Sequence, residues 1–137
     1  MKDMHKVTRA LTDIVWQFGP KGINGECCQD LSLPEFRALQ KIAETPSCNV
    51  QEIGLHLGFT KSGATRVVGR LDKKGCISKQ KSPEDARICC LFTTEKGQNI
   101  LASVATQYAE QLTVALGKIE KNKDDIQKSI LALAKVL

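Results

Sequence analysis

Aromatic residues are scarce in this 137-residue chain, which has one Trp, one Tyr and four Phe, 4% of the total. Stacking of unpaired bases on exposed rings, a common grip on single-stranded nucleic acid, is therefore poorly supported. Long apolar runs are missing too. The N-terminal stretch MKDMHKVTRALTDIVWQFG scatters charges among its apolar residues, so it reads neither as a signal peptide nor as a membrane span. A cytoplasmic location with no membrane partner is the expectation. There is no internal repeat that would suggest a solenoid, and no long low-complexity or single-sign charge run. Cys-x-x-Cys is absent, and with it the usual structural zinc spacing and the thioredoxin-like redox motif. No Cys-His-Asp constellation, phosphate loop or carboxylate pair is evident, so the chain is not expected to be an enzyme. His5 and His56 have no partner at ligand spacing and read as surface or packing residues.

What is present fits one globular domain, 1–137: 42% of residues are hydrophobic and 26% charged, enough for a core without disorder. The net charge of +5 is concentrated. Between Lys61 and Arg87 lie eight basic residues against three acids, an excess of five, while the rest of the chain balances. A field focused on one segment is what a polyanion-binding surface requires.

Apolar residues at helical spacing (Val7, Ala10, Leu11, Ile14, Val15, Phe18) predict an amphipathic helix over about 3–18, ended by Gly19-Pro20, with Trp16 on the opposite face as a second packing surface. Residues 21–30 read as a loop. Ser32 with Glu35 predicts a capping box before a helix burying Phe36, Leu39, Ile42 and Ala43, and Asn49 with Glu52 predicts another before a short helix ending at Gly58. Thr60 caps the next helix, whose Ala64, Val67, Val68 and Leu71 turn inward and whose Ser62, Thr65, Arg66, Gly69 and Arg70 turn outward. Two capped helices joined by a short turn make a helix-turn-helix. Two β-prone runs, 76–81 and 87–92, surround the turn signal SPEDA and predict a hairpin. A long helix from Thr94 to about Glu120 and a last one started by Asp124, with a broad apolar face, complete the chain. Such a greasy terminal helix implies oligomerisation.

The expected fold is mainly α with a small β-hairpin wing. This order of elements resembles the MarR family of winged-helix transcriptional regulators across nearly the whole chain. The segment RVVGRLDKKGCISKQKSPEDARICCLFTTEKG is similar to the family's recognition helix, wing and entry to its long helix, and Asp85-x-Arg87 matches the acidic-x-basic signature of the wing. The resemblance implies a winged-helix DNA-binding unit over about 32–93, dimerisation helices over about 1–31 and 94–137, and a homodimeric repressor on a pseudo-palindromic double-stranded DNA operator. On that basis Ser62, Thr65 and Arg66 meet base edges and phosphates, and Lys61 and Arg70 grip phosphate. Lys79 and Lys81 add charge to the wing. Arg87 reaches the minor groove, its guanidinium oriented by Asp85. The competing reading is a winged-helix protein-interaction module with an acidic partner, its cysteines purely structural; the small residues at Ser62, Thr65 and Gly69 favour DNA.

Six cysteines without an export signal read as buried thiols, metal ligands or redox sensors rather than a disulfide framework. Thiolates suit a soft metal or metalloid ion, such as zinc, copper(I), mercury(II), cadmium or trivalent arsenic. In an extended strand Cys89 and Cys90 point to opposite faces, with Cys90 toward the core beside Ile88 and Phe92, and Cys89 freer beside Leu91. Cys27 and Cys28, in a loop, can turn toward one ion and recruit Cys89 or Cys76 as a third ligand. GECCQDLSLPEFRAL is similar to a cysteine-pair subgroup of the family associated with toxic metal or metalloid response. Members that sense organic hydroperoxides carry their reactive cysteine in the first helix, where this chain has none. An oxidant acting on another thiol is the rival effector.

Overall fold

The computed structural model describes residues 1–19 and 26–137, the side chains of residues 26 and 27 excepted. Two compact units result, Met1–Val104 and Ala105–Leu137. The first contains α1 (Lys2–Phe18), β1 (Glu26–Cys28), β2 (Leu31–Ser32), α2 (Leu33–Glu44), α3 (Val50–Leu57), α4 (Lys61–Lys73), β3 (Ile77–Lys81), β4 (Cys89–Thr93) and the start of α5 (Glu95–Gly117). The second contains the rest of α5 and α6 (Lys123–Val136). No helix among the described residues is long and apolar enough to cross a membrane.

Helix starts follow the local chemistry. Ser32 Oγ accepts the Glu35 N–H at 3.3 Å while the Glu35 carboxylate accepts the Ser32 N–H, and Asn49 and Glu52 repeat the arrangement at 2.9 and 3.0 Å. Each reciprocal pair satisfies two backbone donors that a helix N-terminus leaves orphaned. Thr60 Oγ1 accepts from Gly63 N–H and starts α4. Gly58, at φ 67°, ends α3 in the left-handed region, where a Cβ would be strained.

Side chains from α2, α3, α4 and both hairpins meet in one core, with Leu31, Leu39, Ile53, Val68, Leu71 and Leu91 almost fully buried. Burial of each contributes about 1.5–3 kcal/mol. At Gly54 a Cβ would sit 3.4 Å from Ala64 Cβ, so a small residue lets α3 and α4 pack closely. Within α2 the buried stripe is Glu35, Phe36, Ala38, Leu39 and Ile42; Ala43, expected inside, is exposed although it is four residues from Leu39 on the same side of the helix.

The wing hairpin pairs Ile77 with Thr93 through to Lys81 with Cys89. On its inner side Leu91 N–H donates to the Cys48 carbonyl at 2.7 Å, an isolated antiparallel bridge that seats β4 between β3 and the α2–α3 connection. This seating buries both Cys90 and Leu91 and leaves Cys89 half-buried, whereas Ile88 and Phe92 are exposed, contrary to the alternation that grouped them with Cys90 in the core. Cys27 and Cys28 lie in β1 rather than in a loop, part of a second small hairpin with β2.

α1 buries none of its residues within the chain. α6 is likewise unburied, and its N-cap is Asn122, in the left-handed region without a side-chain cap bond, rather than Asp124, which falls in the first turn.

Gly97 is the tightest backbone approach near α5. Its N–H donates to Thr94 Oγ1 at 3.2 Å, and a Cβ there would collide with the Cys76 carbonyl oxygen while standing 3.3 Å from Leu39 Cδ1. Gly97→Ala should therefore destabilise the fold by about 1–3 kcal/mol, the cost of overpacking a core, read as a lower urea midpoint. An unchanged midpoint would show that the α5 start yields freely.

Candidate nucleic-acid interface

α4 is amphipathic because its apolar residues recur at 64, 67, 68 and 71, and all four are buried. The opposite face is open to solvent. Lys61, Ser62, Thr65, Arg66, Gly69 and Arg70 are all on it, and none of them is buried. The hydroxyls are partly committed: Thr65 Oγ1 donates to the Lys61 carbonyl at 2.8 Å, and Ser62 Oγ lies 3.3 Å from Thr60 Oγ1. With no Cβ at Gly69 and nothing within 4 Å of where one would sit, the helix can approach a flat polymer surface closely.

In the wing the turn is built around Asp85. Its Oδ1 accepts the Arg87 backbone N–H at 3.0 Å, and its two oxygens take Arg87 Nε and Nη2 at 3.1 and 3.2 Å. This fork fixes the guanidinium while leaving the arginine side chain 91% exposed. The hydrogen bonds from Arg87 hold the Asp85 carboxyl below its ordinary 3.8. The clamp is therefore intact above the ordinary carboxylate range and is lost only as pH falls through the lowered value.

Not all the segment's basic residues are available. Lys79 Nζ lies 3.5 Å from Asp72, an exposed pair that contributes little. Lys74 turns inward, to Glu35 Oε2 at 2.7 Å and the Asp30 carbonyl at 2.6 Å. Lys81 is exposed at the end of β3. The sequence marked Lys74 only as one charge among eight; nothing in its spacing signals a partner 39 residues away.

The cysteines separate by environment. Cys48, Cys76 and Cys90 are buried free thiols and Cys89 is a half-buried one. Burial, together with the hydrogen bond and charge of Glu52, pushes the Cys48 thiol up to about 11, and burial raises Cys76 as well. Both are thus poor thiolate donors at neutral pH. Cys28 is buried in β1 and disulfide-bonded. The Cys27 side chain lies outside the described residues. Among the described residues no group of three His, Cys, Asp or Glu side chains could hold a metal ion, so Cys28, Cys76 and Cys89 do not converge on one site. Burial and the positive field of Arg37 and Lys41 lower the His56 pKa.

Residues 31–89 match the MarR family. The transcriptional repressor MprA of Escherichia coli K12 is 32% identical over 93 residues, covering 65% of this chain and 53% of MprA. The chain spans about half the length of the curated relatives it matches, MprA among them. Among solved structures, Streptococcus pneumoniae FabT in complex with DNA superposes with a TM-score of 0.74 at 18% identity, covering 98% of this chain and 94% of FabT. YusO from Bacillus subtilis gives the same score and identity over 99% and 93%. At that identity the likeness concerns the fold, which is the winged helix. The matched segment and the repressor relative are similar in sequence to the MarR family over the central part of the chain, and the solved structures share its winged-helix fold.

Proposed function

We propose that this protein is a DNA-binding transcriptional regulator, a homodimeric repressor on a pseudo-palindromic operator, released by a thiol-reactive metal, metalloid or oxidant. One observation carries the DNA reading. The exposed face of α4, small and hydroxyl-bearing with Lys61, Arg66 and Arg70 along it, is followed in the chain by a wing whose Arg87 is held outward by Asp85. A helix with small polar residues suits the major groove, whereas an acidic protein partner would need no such small side chains. The repressor function of MprA and the DNA bound to FabT support the same reading by similarity.

Dimerisation rests on apolar surface left uncovered. Val7, Leu11, Ile14 and Trp16 of α1 are 49–70% exposed, and Ile130, Leu131, Leu133 and Val136 of α6 are 48–80% exposed. At about 25 cal/mol per Å² such surface favours burial against a second copy.

Sensing by the Cys27-Cys28 strand rests on chemistry rather than on exposure, since Cys28 is as buried as Cys48 and Cys76. Cys48 and Cys76 carry raised thiol pKa values, while Cys28 takes part in a disulfide that an external dithiol would reduce by thiol–disulfide exchange, itself becoming oxidised and leaving two thiols for a soft ion. Cys89, half-buried at the start of β4, is the more accessible alternative.

Three outcomes follow. Arg66→Ala should weaken specific operator binding, and Arg87→Ala should weaken binding to all sequences while flattening the salt dependence by about one unit of slope for each phosphate left without its cation; unchanged affinity in both at moderate salt would remove the interface. Sedimentation of the full chain should give a dimer at micromolar concentration, and a stable monomer that binds operator would contradict a pairing role for the α1 and α6 faces. Finally, a Cys27→Ser, Cys28→Ser protein should still bind operator yet no longer release it when arsenite, zinc or diamide is added. A wild-type response from that variant would put the sensor elsewhere.

A further inference from the structure

The turn of the β1–β2 hairpin is tied to two different helices. Gln29, held at φ 60°, donates its Nε2 to Ser103 Oγ on α5 at 2.9 Å. The next residue, Asp30, gives its carbonyl to Lys74 Nζ at 2.6 Å, and the same ammonium holds the buried Glu35 carboxylate. Lys74 is the C-cap of α4: its N–H donates to the Arg70 carbonyl, and its own carbonyl accepts Lys96 Nζ from α5 at 2.7 Å. Hydrogen bonds thus connect α5, the hairpin turn and the last turn of α4 in a closed path. Arg70 and Lys73, two basic residues of α4, sit in that last turn.

We propose that the β1–β2 hairpin is a relay that sets the pose of the C-terminal turn of α4, with Lys74 as the positioning residue. Its two states are the turn docked between Ser103 and Lys74 and the turn released. When docked, Lys74 is pinned at both the ammonium and the carbonyl, so the end of α4 is held over its full last turn. When released, the ammonium keeps only Glu35, and Arg70 and Lys73 lose a fixed platform. A chemical event in β1, whose last residue Cys28 directly precedes the turn, biases docking and so changes operator affinity from a strand that carries none of the proposed DNA contacts. This inference rests on the DNA reading above for its consequence and on the hydrogen-bond path for its existence. A contiguous path alone is no proof of coupling, so the test measures coupling itself.

Operator affinity is measured for the full chain as wild type, Gln29→Ala, the pair Glu35→Gln with Lys74→Met, and all three together. The paired change avoids leaving a buried carboxylate without its cation, and Gln at position 35 can still close the capping box. Gln29→Ala should change affinity about three- to tenfold in the wild-type background and less than about twofold in the paired background, within the additivity of uncoupled sites. Ser103→Ala, which cuts the same tie from the α5 side, should reproduce the Gln29→Ala effect and decides the matter if the paired protein does not fold. Hydrogen exchange at the Gly75 and Cys76 amides, which donate to Asp72 and Leu71, reads the coupling without DNA. Those amides should exchange faster in Gln29→Ala and in Ser103→Ala. Equal fold-changes in both backgrounds, or unchanged affinity and exchange in both single variants, overturn the relay. Absence of operator binding would instead remove the DNA reading, and the exchange data would still decide the relay.

Discussion

Glu35 and Lys74 form the contact on which the winged-helix part of the molecule depends. A carboxylate with 4% of its side chain exposed is stable as a charge only if a cation and hydrogen bonds replace water, and Lys74 Nζ at 2.7 Å with the Ser32 N–H supplies both. Removing one partner of a buried pair typically costs about 3–5 kcal/mol; Lys74, still 30% exposed, keeps part of its hydration and puts this pair toward the lower end. The contact joins the start of α2 to the end of α4. The root of the wing at Cys76 and the start of α5 at Lys96 adjoin that junction through the Lys74 carbonyl.

Geometry around the junction also explains two glycines and a threonine. Gly75, at φ 75°, turns the chain from α4 into β3 within the three residues that separate them, and Thr94 Oγ1 closes the turn by donating to the Gly75 carbonyl at 2.6 Å. Gly97 lets α5 pass against the Cys76 carbonyl. The wing is therefore anchored at its base by backbone groups, while its tip is stiffened separately by the Asp85 fork. A rigid base and a preset tip reduce the ordering entropy that a flexible hairpin would lose on binding.

Much of this was legible in the sequence, and for a physical reason. Capping boxes, the 64–67–68–71 spacing and the SPEDA turn are local codes, fixed by residues within a few positions of each other, and the structure realises them at Ser32, Asn49, Thr60 and Asp85. What escaped were long-range choices. Local pattern could not say that residues 26–28 pair with 31–32, that Leu91 bonds to Cys48, or that Lys74 points inward rather than joining the exposed cations. Strict alternation places Ile88 and Phe92 in the core because it presumes one buried face, whereas β4 is covered on a side that the Cys48 bridge selects. For the cysteines, sequence supplied the count and spacing but not the burial that separates Cys48 and Cys76 from Cys89.

That same bridge has a further consequence for how the protein behaves when crowded. By occupying the inner side of β4, it leaves β3 as the one open rim of the wing among the described residues, a strand reading ISKQK with four of its five residues exposed. An open rim of unpaired amides invites another chain to add itself as a strand. Lys79 and Lys81 project there, and Ser82-Pro83 follows, so two wings brought edge to edge would meet as like charges and soon run into a residue that cannot donate. The charge on which the proposed nucleic-acid contact draws thereby also protects the hairpin from its own kind.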